Sequence, residues 1–160
     1  MTLSDKTIRR YIDEEHIAIE GYDDLEEQVQ PAGFDLRVGQ DYRHLDSERV
    51  FNSEHGALVF EPDEFYQVHS IERISLPADI LAEVVGRTSL HRRGLSITGG
   101  LIDPGYNGVV VTGVYNRLNK PIHVNPNHRF IQLEFRELDQ PASIPYGNRT
   151  DSQYQGQEGF

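Results

Sequence analysis

Past residue 56 the chain is built from short apolar runs separated by turn residues. "ALVFEP", "EFYQVHSIERISLP", "AEVVGR", "GVVVTGVYN", "PIHVNP" and "RFIQLEFREL" are rich in Val, Ile, Phe, Tyr and Thr, and Gly, Pro, Asn or Asp bound them. Many short strands with frequent turns predict a sandwich or closed barrel, not alternating βαβ units. Ahead of them, "PAGFDLRVG" (31–39) reads as a loop entering a short strand, and "GYDDLEEQVQ" (21–30) as an exposed acidic connection. The first segment has helical spacing. Ser4 can cap a helix to about Glu14, with Ile8, Tyr11 and Ile12 on one face. "TSLHRRGL" allows one helical turn between strands. No repeat or linker interrupts the 160 residues, which suit a single domain.

Composition narrows the function. The net charge of −11 disfavours a broad nucleic-acid-binding face, which needs clustered Lys and Arg, though it permits a local basic pocket for a small polyanion. No run approaches the ~18 apolar residues of a membrane span, so no membrane role is expected. The absence of cysteine removes disulfides and thiolate metal sites, and a cytoplasmic location is the default expectation. The seven histidines are scattered without H-E-x-x-H spacing, and no resident metal site is expected. A zinc deaminase, which needs P-C-x-x-C, is excluded.

Two segments carry candidate chemistry. "GRTSLHRRG" (86–94) gathers Arg87, Arg92 and Arg93 with the hydroxyls of Thr88 and Ser89 at a helical turn. Guanidiniums, hydroxyls and free amides suit a phosphate chain, and the same residues also describe a solvated basic turn. "GGLIDPGYNG" (99–108) places Asp103 in ordinary turn chemistry. Asp103 could serve as a base for water if it faces a pocket, and Tyr106 as a platform for a sugar or base. Gly113 interrupts the strand that follows, a position that marks a bulge or a close backbone approach. Composition alone makes "YGNRTDSQYQGQEGF" (146–160) a mobile tail.

Taken in order, "QPAGFDLRVG", "GRTSLHRRGL", "GGLIDPGYNG", "RFIQLEF" and "PYGNRTDSQYQGQ" resemble the dCTP deaminase and dUTPase superfamily. The resemblance is closest to its deaminase-like branch, which includes archaeal-type dUTPases and bifunctional deaminase-diphosphatases. It covers nearly the whole chain. It implies a mainly β fold, a distorted β-barrel or jelly roll (dUTPase-like, β-clip) with a short N-terminal helix. It also implies a homotrimer with active sites between subunits, a deoxynucleoside triphosphate substrate, and Mg²⁺ carried by the substrate phosphates. Arg87, Thr88, Ser89 and Arg92 look like the triphosphate-binding segment. Asp103 matches the aspartate that activates water, and Tyr106 the aromatic that packs on deoxyribose. Val111, Thr112 and Gly113 fall on the substrate-contacting strand, and Gln132 matches a substrate-binding glutamine. Tyr146, Gln153 and Gln157 fall where residues 146–160 close over the nucleotide.

The departures are informative. Deaminases of the family carry a glutamate in a V-L-E-F-Y-N pattern, and the matching residue here is Gly113, which cannot move a proton. The arginine that often precedes IDPG is Leu101, and a tail lysine is Gln153. The main expectation is hydrolysis of dUTP to dUMP and pyrophosphate. The alternative is a dCTP deaminase, possibly bifunctional, with Glu134 as the only nearby strand carboxylate in place of the missing one. A second alternative is a non-catalytic deoxynucleotide binder.

Overall fold

The computed structural model describes residues 1–53 and 56–160. In chain order the elements are α1 (Asp5–Asp13), β1 (Ala18–Glu20), α2 (Leu25–Gln28), β2 (Val29–Gln30), β3 (Gly33–His44), β4 (Val50–Asn52), β5 (Leu58–Phe60) and β6 (Phe65–Ser75). Then follow β7 (Ile80–Gly86), α3 (Thr88–Arg92), β8 (Leu95–Ile97), β9 (Leu101–Ile102), β10 (Asn107–Asn116), β11 (Ile122–Val124), β12 (Arg129–Glu137) and a 3₁₀ turn at Tyr146–Asn148. The main sheet runs β8-β10-β6-β3-β12-β7-β9, with β1 on β6 and β2 and β4 on β3; β11 pairs with β5. Every strand pairing is antiparallel. The fold is mainly β, as the short strands and turns predicted, and the sheet curls into a half-barrel, in keeping with the distorted barrel that the resemblance implied.

The period-2 pattern sets which face is inside. Tyr66, Val68 and Ile74 of β6 point into the core, with Phe34, Leu36 and Val38 of β3 and Leu133 and Phe135 of β12. The helix α1 forms where expected and buries Ile8, with Tyr11 and Ile12 packed beside it. Ser4 stands at its N-cap without a side-chain capping bond. Among the described residues no helix is long and apolar enough to cross a membrane.

Two expectations are corrected. The strand that begins at Gly33 is not short, because β3 spans twelve residues and pairs with four other strands. The segment 21–30 is not simply an exposed connection. Asp24 caps α2 by accepting from the Glu26 and Glu27 amides (2.8 and 3.3 Å), and Gln28 is buried.

Gln28 can be buried because its amide is fully engaged. Its Nε2 donates to the Asp35 carbonyl (2.9 Å) and to Glu72 Oε1 (2.8 Å), and its Oε1 accepts from the Asp23 amide (2.8 Å). Glu72 is wholly buried on β6. It also accepts from Arg37 Nε (2.7 Å) and the Arg37 amide (2.8 Å). A buried charge is tolerable only when paired and hydrogen-bonded in this way. The network ties α2 and β3 to β6, the strand beside β10.

Candidate active site

The IDPG turn is built by its backbone. The Tyr106 amide donates to the Asp103 carbonyl (3.1 Å), Pro104 holds the first corner, and Gly105 takes φ +84° at the second. This is a type II turn, whose third residue favours glycine. A Cβ on Gly105 would also lie 2.5 Å from Pro145 Cβ, so the returning tail packs directly on the turn. The turn presents Asp103 at the end of β9 with its carboxylate exposed. That carboxylate makes no hydrogen bond or ion pair to another described residue.

Beside the turn lies a cavity of about 480 Å³. Its walls include Asp103, Tyr106, Val111, Thr112, Gly113, Tyr146 and Gln157. Seven residues singled out from the sequence therefore meet at one place. The size falls within the usual range for small-ligand pockets. Asp103 is the only carboxylate among the lining residues.

Tyr106 is buried under the tail, its ring 5.9 Å from that of Tyr146 and its hydroxyl donating to the Val109 carbonyl (2.7 Å). Burial pushes its pKa up to about 12, with Tyr146 adding to the shift and Arg73 opposing it. The folded form then holds a proton between pH ~10 and ~12 that the unfolded chain has lost, so stability falls as pH rises across that window. Tyr106→Phe is expected to flatten the loss by roughly 2 kcal/mol in denaturant titrations at pH 9, 10.5 and 12. At neutral pH it should cost about 1 kcal/mol for the missing hydrogen bond. An unchanged alkaline profile would contradict the assignment.

Gly113 proves to be a packing requirement. A Cβ there would lie 2.5 Å from Phe65 Cζ and 2.6 Å from Thr98 Oγ1. Thr98 clasps the Gly113 peptide: the Gly113 amide donates to Thr98 Oγ1 (2.9 Å), and the Thr98 amide donates to the Gly113 carbonyl (2.9 Å). Thr112 in turn donates its hydroxyl to the Thr98 carbonyl. Gly113→Ala should therefore destabilise by about 1–3 kcal/mol through overpacking, read as a lowered Tm. A single Gly113→Glu change meets the same ring and hydroxyl.

The tail is packed, contrary to the mobile reading of its composition. The Gly156 amide donates to the Asn107 carbonyl (2.7 Å), and the Val109 amide to the Gln157 carbonyl (2.9 Å), so Gln157 pairs in parallel with Gly108 at the start of β10. Gln155 accepts from the Asn107 amide (3.1 Å), and the Phe160 ring lies 5.3 Å from the Arg43 guanidinium and 5.3 Å from the His69 ring. Tyr154 joins Tyr146 and Gln157 in the cavity wall, but Gln153 does not line it and is exposed.

The arginine segment lies elsewhere in the chain. Arg87, Thr88, Ser89, Arg92 and Gln132 are not among the lining residues. Thr88, Ser89 and Arg92 are exposed around α3. Arg87 Nε lies 3.2 Å from Asp35 Oδ2, and its Nη1 donates to the Arg129 carbonyl (3.0 Å). Arg129 also approaches Asp35 (3.6 Å). Burial raises the Asp35 pKa, and Arg87 and Arg129 oppose that rise. Gln132 sits on β12 between Asp35 and Val85 of the flanking strands. Glu134, also on β12, is bound by Thr2 (2.9 Å) and Arg136 (2.9 Å), which hold its pKa down, and it too lies outside the cavity.

Sequence reasoning missed Gln67, Thr98 and Tyr154 in the cavity wall and Asp35 beneath Arg87. Asp35 lay inside a quoted motif. Gln67 carried no signal, because a polar residue at an alternating strand position reads as an outward one, and Thr98 sits just past the end of β8 where a hydroxyl is ordinary.

A half-barrel of antiparallel strands with one acidic turn beside a cavity defines a β-fold protein with a pocket of small-ligand size. The same fold occurs in the dUTPase of EIAV (TM-score 0.56, 22% identity, 81% of this chain and 94% of that one). It occurs also in 2′-deoxycytidine 5′-triphosphate deaminase from Agrobacterium tumefaciens (TM-score 0.74, 24% identity, 86% of this chain). This chain spans about half (48%) of the latter. Residues 2–138 match the dCTP deaminase-like family model, and the chain belongs to that family. It is 40% identical to a dCTP deaminase of Natronomonas pharaonis, over 99% of this chain and 92% of that protein. It is 35% identical to a "dCTP deaminase, dUMP-forming" of Methanothermobacter thermautotrophicus, over 97% and 89%.

Proposed function

We propose that this protein is a nucleotide hydrolase that converts dUTP to dUMP and pyrophosphate. One observation carries the reading. Among the described residues the cavity holds a single carboxylate, Asp103, while the strand position of the family's deaminating glutamate is Gly113, crowded by Phe65 and Thr98. Asp103 has what a base for water needs: it is exposed, makes no close ion pair with a described residue though Arg149 of the tail interacts with it through space, and is placed in the cavity wall by a turn with Gly105 at positive φ. Water activated there attacks the α-phosphorus, and pyrophosphate leaves. Tyr106 and Tyr146 supply an aromatic wall for the sugar.

The phosphate chain needs cations, and the cavity walls contain no Lys or Arg. Arg87 and Arg92, with Thr88 and Ser89, are proposed to supply them to the site of a neighbouring copy, which makes the active unit a homotrimer with shared sites. Light scattering should then give three times the chain mass of 18.3 kDa. A Mg²⁺ is proposed to arrive with the substrate, held mainly by phosphate oxygens and water. When bound, that ion would offset phosphate charge.

A dUMP-forming dCTP deaminase is the second reading, and the names of the relatives favour it. Glu134 does not serve it in this chain, being engaged by Thr2 and Arg136 outside the cavity. Incubation with dUTP and with dCTP separately in Mg²⁺ decides. Pyrophosphate from dUTP without ammonia from dCTP supports the hydrolase. Ammonia from dCTP supports the deaminase, and binding of dUTP without turnover would leave a binder.

A further inference from the structure

We infer that Gln67 reads the base in this cavity, as an amide pinned with its oxygen on Arg43 and its two N–H groups left for a carbonyl of the ligand. The inference rests on the nucleotide reading above and adds the choice of base to it. Gln67 lies on β6 between two cross-strand neighbours, Arg43 of β3 and Gly113 of β10, and it lines the cavity with Gly113. Arg43 donates to Gln67 Oε1 from Nε (3.0 Å) and from Nη2.

A guanidinium has donors only, so the amide can meet it only with its oxygen. The flipped amide would set N–H groups against N–H groups. Gln67 Nε2 is thereby fixed as the remaining end. It has no hydrogen-bond partner among the described residues, and Gly113 offers no side chain to take its hydrogens. The neighbouring hydroxyls of Thr98 and Thr112 are engaged with the Gly113 peptide and the Thr98 carbonyl. Arg43 is steadied by the Phe160 ring, which ties its position to the packed tail.

A fixed donor selects an acceptor. Uracil presents O4 where cytosine presents an amino group, and an amino group facing the Gln67 amide leaves donors opposed and unpaired. Sites that hydrogen-bond one polar group discriminate strongly against its absence. Gln67 is therefore a specificity residue in contact with the base, and Arg43 is a positioning residue acting through it.

The test compares dUMP with dCMP affinity by calorimetry, on variants that keep the wild-type Tm. Wild type should favour dUMP by about tenfold or more. Gln67→Leu should bring the ratio toward one, mainly by weakening dUMP. Gln67→Glu should reverse it, since an acceptor then faces the cytosine amino group. Arg43→Leu should lower the ratio by freeing the amide to turn, and Arg43→Lys, which keeps a donor, should restore most of it. A ratio unchanged in both Gln67 variants, or a wild type indifferent to the base, overturns the inference while pyrophosphate release from dUTP leaves the hydrolase standing. A wild type that neither binds dUMP nor releases pyrophosphate removes both.

Discussion

Asp103→Asn is expected to lower pyrophosphate release from dUTP by a factor of about 10²–10⁴, the usual contribution of a positioned base, while dUTP binding stays within a few-fold of wild type. The two halves of this expectation come from different parts of the turn. Its shape depends on the Asp103 carbonyl, Pro104 and the positive φ of Gly105, none of which the substitution touches. The carboxamide has nearly the same volume as the carboxylate, so the cavity keeps its form. Only the ability to take a proton from water is lost. Among the described residues no other carboxylate lines the cavity to take over the task. Rapid-mixing measurement of pyrophosphate, paired with calorimetric binding of dUTP, separates the effects. Turnover near the wild-type rate would remove Asp103 from the chemistry, and a large loss of binding would make it a substrate ligand instead.

Glu72→Ala should destabilise the fold by about 3–5 kcal/mol, the typical cost of removing one partner of a buried ion pair. Glu72 is wholly buried and accepts from Arg37 Nε, the Arg37 amide and Gln28 Nε2. Truncation leaves those donors facing a void, with the Arg37 guanidinium bound only to the Gly21 carbonyl and distantly to Asp23 (3.7 Å). A domain of ordinary size has a total stability of about 5–15 kcal/mol, so this is a large share of it. Urea titration of the purified variant measures the loss directly. A change below about 1 kcal/mol would mean that the network is not the link between α2, β3 and β6 that its geometry indicates.

The strands, the first helix and the turn at 88–92 were legible because each follows a local rule: alternation, helical spacing, or punctuation by Gly and Pro. The cluster of Asp103, Tyr106 and Gly113 was legible because it lies on a single turn and strand. Residues that depend on distant partners were not. Glu72 and Asp35 look like any charged residue in a strand, and only their arginines, brought from other segments, explain their burial. Gln28 was hidden in a run whose acidic composition suggests exposure. The tail misled in the opposite sense. Its docking runs largely through backbone amides and carbonyls, which composition does not reveal. The separation of the arginine segment from Asp103 is a matter of tertiary geometry, for which linear order gives no distance.

The sealed peptide at Gly113 bears on how freely this site could change its chemistry over generations. A carboxylate entering by one codon change would have to displace the tip of the Phe65 ring and the Thr98 hydroxyl, both side-chain ends that already crowd its place. Shrinking Phe65 first would open a hole in the sheet face with nothing gained in exchange. Each step is a loss when taken alone, and only the pair together could be of use. The glycine is thus held by the side chains around it and not by its own backbone angle, so a change of residue here is a matter for three positions together.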